Sequence, residues 1–271
     1  MSVPLLFLFI LAARLASAQE TEERPDLSIP EPARQRPALD AFTIVLAEYQ
    51  GAVKERDLFI QALPGLVDFL GESTDIEVDV RTKKLPLFNA RIMDALLIYM
   101  TGQDAQLRLG EVEKKNLGQY LKQGGFLFAE DVVSGGFRGT PPPGAGVVGT
   151  PFDRQFKALM KDPQVLGSQG GSWRRIPKKH PLYSNYFDFL DGPPLSATTD
   201  GNVFDLEMLE YRGRIAVVFS DLNISWYWAT QDAKGRDRCL QLGVNLVVQA
   251  LTQRFAGAPL PTRGGPRPGA H

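Results

Sequence analysis

The chain has 271 residues, with 30 Lys and Arg against 31 Asp and Glu and a formal charge of −1, so it lacks the basic field that holds nucleic acid. Its single cysteine, Cys239, excludes an internal disulfide, and two histidines exclude a zinc site built from several imidazoles. Stability must therefore come from an apolar core, for which this length suffices as one domain.

The N-terminal segment reads as a targeting signal. An almost unbroken apolar run, residues 3–13, leads to Ala16-Ser17-Ala18 and then to polar Gln19-Glu20-Thr21-Glu22. Such a run is too short to span a bilayer and ends in the small residues a signal peptidase accommodates. The expectation is a signal peptide over 1–18, cleaved after Ala18, and export to the periplasm or the medium. An uncleaved anchor is the alternative, since no Lys or Arg precedes the apolar run. Residues 19–40 carry Pro25, Pro30, Pro32 and Pro37 with few apolar side chains, the composition of a disordered linker. Residues 257–271 repeat Gly, Pro and Arg, a disordered tail. The folded domain is expected over 41–256, with no transmembrane helix in the mature chain.

Within it, strand and helix signals alternate. Phe42-Thr43-Ile44-Val45-Leu46-Ala47 predicts a buried strand. Phe59, Ala62, Leu63, Leu66, Val67 and Leu70 predict a helix face, which Pro64 should kink or divide. Ile76, Val78 and Val80 alternate with acids, as in a half-exposed strand, and Ala95-Leu96-Leu97-Ile98-Tyr99 predicts a strand covered on both faces. A helix over 109–123 has Glu111 and Glu113 early and Lys122 late, and Gly124-Gly125 ends it. Phe126-Leu127-Phe128-Ala129 is the next strand. Strand, helix, strand with short joins implies a parallel unit, hence a doubly wound α/β sheet with helices on both faces.

A Gly- and Pro-rich loop over 134–151 follows, and then a helix over 152–160. A late β-hairpin over 208–211 and 215–219 should turn at Arg212-Gly213-Arg214. Cys239, Leu242, Gly243, Leu246, Val247, Ala250 and Leu251 form one face of a closing helix, which puts Cys239 in the packing.

In open parallel sheets ligands bind beyond the carboxyl ends of the strands. Those ends carry Thr101, Gly102, Gln103 and Asp104, then Glu130 and Asp131, then Ser220, Asp221 and Asn223. The expected binding rim is Thr101, Gly102, Gln103, Glu130, Asp131 and Asp221. Paired carboxylates there would act as acid and base, with His180 as a candidate assistant. The plainer reading makes Glu130 and Asp131 caps or solvated groups, and His180 an anchor for its own loop before Pro181. Calcium or magnesium needs more oxygen ligands than can be located, so no metal and no cofactor are expected. No G-x-S-x-G, G-x-G-x-x-G or P-loop is present.

Several ordered motifs carry a resemblance. They are Tyr99-Met100-Thr101-Gly102, Leu121-Lys122-Gln123-Gly124-Gly125-Phe126-Leu127 with Glu130-Asp131, His180-Pro181-Leu182-Tyr183, Gly213-Arg214, and Gly243-Val244-Asn245-Leu246. Over about residues 42–251 the chain resembles the bacterial family DUF4159, a domain of unknown function related to the class I glutamine amidotransferase fold. The resemblance implies a flavodoxin-like architecture. It places the amidotransferase cysteine just after the strand ending at Ala129, where this chain has Glu130-Asp131-Val132, so that chemistry does not carry over. Relatives often have histidine at the position of Gln103. They are often encoded near AAA+ ATPases and von Willebrand A-type envelope proteins, which implies an assembly role by association alone. The expectation is a non-catalytic envelope domain that binds a small ligand or a protein partner. The alternative is a hydrolase using Asp131 or Glu130 with His180.

Overall fold

The computed structural model describes residues 42–49, 61–76, 79–102, 107–131, 151–194, 205–231 and 234–255. Seven strands form one sheet, with β1 at Phe42–Glu48, β2 at Val80–Pro86, β3 at Leu97–Gly102 and β4 at Phe126–Asp131. They continue with β5 at Arg174–Arg175, β6 at Glu207–Tyr211 and β7 at Arg214–Ser220. The spatial order is β2-β1-β3-β4-β7-β6-β5, and the first five are mutually parallel. Counted in chain order, those five follow 2-1-3-4-5, the doubly wound flavodoxin-like order. The strands β6 and β5 extend it antiparallel, each to its neighbour.

The helices are α1 at Ala62–Ser73, α2 at Glu111–Lys122, α3 at Pro151–Met160, α4 at Ile224–Ala229 and α5 at Arg236–Arg254. The two-residue period of the strands sends alternate side chains to opposite layers. Ile44, Leu46, Tyr99, Phe126, Phe128 and Val218 pack with α1, α4 and α5. Val45, Ala47, Ile98, Met100, Leu127 and Phe219 pack with α2 and α3. Each such Val, Leu, Ile, Phe or Met side chain stabilises the fold by about 1.5–3 kcal/mol on burial.

Both sheet edges are blunted. β2 carries Lys83, Lys84 and Pro86, with Lys84 paired to Glu48 at 3.1 Å, and β5 is only two residues long.

Pro64 neither kinks nor divides α1. The helix starts at Ala62, so Pro64 is its third residue, where the missing N–H would have no intrahelical acceptor anyway. The second strand lies later than the alternation of Ile76 and Val80 predicts: Ile76 makes an isolated bridge and the paired run begins at Val80. Glu130 and Asp131 continue β4 instead of turning out of it. The hairpin turns on two residues with positive φ, Arg212 at 52° and Gly213 at 77°, the tight turn that matches strand twist. Helix α5 is buried on more than one face, including Leu240, Val244 and Val248. The predicted signal, linker, 134–150 loop and C-terminal tail lie outside the described residues.

Candidate functional site

The carboxyl ends of β3, β4 and β7 lie side by side. Thr101 pairs with Glu130, Gly102 with Asp131, and Glu130 with Ser220. Five of the six predicted rim residues therefore share one end of the sheet, Asp221 following directly after β7. Gln103 lies outside the described residues.

Thr101 and Gly102 are covered. The Tyr49 hydroxyl donates to the Thr101 carbonyl at 2.5 Å. A Cβ on Gly102 would fall 1.9 Å from the Phe152 ring, so α3 closes directly over β3 at a residue that must lack a side chain. Phe152 stacks in turn on Phe156 and Phe219, at centroid separations of 5.7 and 6.3 Å.

Glu130 is fully buried, and both its oxygens are engaged. Oε1 accepts from the Ile224 N–H at 2.6 Å and from the Ser220 hydroxyl at 2.8 Å. Oε2 accepts from the Ser225 N–H at 2.8 Å and from the Ser225 hydroxyl. The Ser220 oxygen also accepts from Leu222 N–H at 3.1 Å. Glu130 thus caps α4 from another strand. Burial pushes its carboxyl pKa up, while the bonds from Ser225, Ile224 and Ser220 pull it down.

The cap residue of α4 in the chain, Asn223, contributes no such bond. Its backbone is left-handed, with φ 59°, and its fully buried carboxamide has no hydrogen-bond partner at either polar atom.

Beyond this cap the acids gather. Burial raises the Asp221 carboxyl to about 7; its own backbone N–H opposes the shift, and Glu207, Asp131 and Asp153 add to it. Lys157 supplies a counter-charge to two of them. It reaches Asp153 at 2.6 Å and also Glu207, and its ammonium lies 5.6 and 5.1 Å from the ring centroids of Trp173 and Phe219. Sequence reasoning missed Asp153, Lys157 and Glu207 as members. The pair Asp153 and Lys157, acid four residues before base, is the one signal it offered. Among the described residues no group of three or more His, Cys, Asp or Glu is arranged to hold a metal ion.

His180 stands elsewhere. Its Nδ1 accepts from the Leu182 N–H at 3.1 Å and caps the turn Pro181–Tyr183. Burial lowers its pKa, against Glu210 and with Arg174. Glu210 sits opposite Ile215, near the start of β7, whereas Asp221 follows its end. Six residues of strand, about 20 Å, separate those levels. The charges that act on His180 are those of Glu210 and Arg174, and neither Glu130 nor Asp131 is among them. Cys239 is 1 % exposed on α5, and burial pushes its thiol pKa far up.

A parallel sheet wound in this order, with Glu130, Asp131 and Asp221 at its carboxyl edge, defines a flavodoxin-like α/β protein. More particularly, the chain belongs to the family described as Domain of unknown function (DUF4159), whose model matches residues 43–251. Among solved structures it is similar to a protein from Thermoplasma acidophilum described as a subunit of GMP synthase. That similarity is at 12 % identity and a TM-score of 0.36, covering 80 % of this chain and 97 % of the other. No curated protein matches the chain. Among the described residues no helix is long and apolar enough to cross a membrane.

Proposed function

We propose that this is an exported, non-catalytic binding domain of the cell envelope, and that its strand-end acids receive a cationic group from a small ligand or a protein partner. One observation carries the non-catalytic part. At the place where the amidotransferase resemblance puts a nucleophile, Glu130 has four hydrogen bonds and no exposure. A group so engaged supports α4 and has no lone pair left for a substrate. Export rests on the apolar run and Ala16-Ser17-Ala18.

The cationic preference follows from charge. Asp131, Asp153 and Glu207 add their charge to the burial that raises the Asp221 carboxyl, and a cation brought to that carboxyl relieves the repulsion. The test is thermal unfolding of the mature chain with spermidine or a short oligolysine peptide, at pH 6 and pH 8. Stabilisation should be larger at pH 8, where Asp221 is ionised, and should be lost in Asp131→Asn and Asp221→Asn. Equal stabilisation of both variants and the parent would end this reading.

One observation favours a second reading, a hydrolase. A carboxyl that titrates at about 7 beside another acid suits a general base near neutral pH. That enzyme would use Asp221 with Asp131, not His180. Ester or amide turnover that disappears in Asp221→Asn, with the fold intact, would select it over the binding domain.

A further inference from the structure

A groove of about 470 Å³ opens where α1 meets α4 and the start of α5. Gln61, Gly65, Asp68 and Glu72 line it as one stripe of α1, because residues three and four apart share a helix face. Gly65 permits the close approach of α4: a Cβ there would sit 2.3 Å from the Trp228 carbonyl oxygen. Trp228 closes the groove on the inside; its indole is almost wholly buried, with its N–H donating to the Cys239 carbonyl at 2.8 Å. Phe69, partly buried, supplies a second aromatic surface.

The charges in this groove are unspent. Asp68 and Glu72 are exposed and one turn apart, an arrangement in which like charges repel. Arg236 is half-buried, and its Nε is buried with no hydrogen-bond partner. Among the described residues none of these three side chains forms an ion pair. A donor withdrawn from water without an acceptor is costly, and a planar guanidinium is matched best by a carboxylate. An ammonium group set between the two acids removes their repulsion.

We propose that this groove binds a small zwitterion of the amino-acid or short-peptide type. Its carboxylate meets Arg236, its ammonium meets Asp68 and Glu72, and its side chain lies against Phe69. The site is separate from the strand-end acids and does not depend on how they are read.

The test is amide NMR of the mature chain titrated with the dipeptide Ala-Phe, its N-acetyl form and its C-terminal amide. The free dipeptide should shift the amides of Gly65, Asp68, Trp228 and Arg236. Each singly charged form should bind about tenfold or more weakly. Arg236→Gln should weaken the dipeptide to the level of its amide and abolish the response to the acetylated form. Glu72→Gln, at an exposed position, should weaken binding of the dipeptide and the amide while sparing the acetylated form, and keeps the test open whatever Arg236→Gln does to folding. Equal binding of all three probes, shifts confined to other surfaces, or no shift at millimolar concentration would overturn the proposal.

Discussion

Glu130 and Asp221 are both carboxyl groups taken out of water within one end of the sheet, and their surroundings treat them differently. Glu130 is surrounded by donors, two backbone N–H groups and two hydroxyls. Glu130→Gln should destabilise the domain by about 2–4 kcal/mol in urea unfolding, because an amide nitrogen brought against those donors leaves buried bonds unmade. Asp221 has acids for neighbours, and its native pKa of about 7 lies above the ordinary value of 3.8. The folded state therefore binds the extra proton between those values. Its contribution to stability is full below about pH 4 and is lost as pH rises through about 7. Asp221→Asn should flatten that slope and raise stability at pH 8 by on the order of 1–3 kcal/mol, measured by urea unfolding across pH. Cys239 provides a third check at this scale. Its thiol should resist a disulfide reagent at pH 8 in the native protein and react at once in urea.

The motifs that carry the resemblance join elements together. Asn245 on α5 donates to the carbonyls of Leu182 and Phe187 at 2.8 Å each and accepts from the Phe187 N–H at 2.8 Å. It thereby pins the segment opened by His180-Pro181-Leu182-Tyr183. Arg214, at the start of β7, donates to the Gly125 carbonyl at 2.9 Å and to that of Leu121, holding the end of α2. Gly243 admits α1 and α4 onto α5: a Cβ there would lie 2.5 Å from Leu66 and 3.0 Å from Trp228. Asn245→Ala should cost about 2–4 kcal/mol, by the buried groups it orphans. Gly102→Ala should cost about 1–3 kcal/mol through the Phe152 ring. Thermal unfolding of each variant checks both. The elements themselves were legible in the sequence wherever one residue pattern dominates. β1, α2 with Gly124, and the Arg212-Gly213 hairpin could be read from apolar period, charge order and glycine. The short α4 could not, because its cap is Glu130, ninety-four residues from Ile224. Neither could the membership of Glu207 and Lys157, since β6 and α3 meet only through the finished sheet.

At the scale of the whole molecule, the order of the five parallel strands decides what meets at the carboxyl edge. Placing β3, β4 and β7 side by side brings Thr101, Asp131 and Asp221 to one end, as the strand-end rule expects. It leaves His180 with the antiparallel extension, which no local pattern around His180-Pro181 discloses. For the export proposal, mass spectrometry of the chain recovered from producing cells should find Gln19 as the first residue; a retained Met1 or Ser2 would contradict it. The tie between β4 and α4 also constrains what position 130 can become. A thiol there would leave the four donors of Ser220, Ile224 and Ser225 without their acceptor, so any reactive group installed at that strand end would need a new cap for the helix built alongside it.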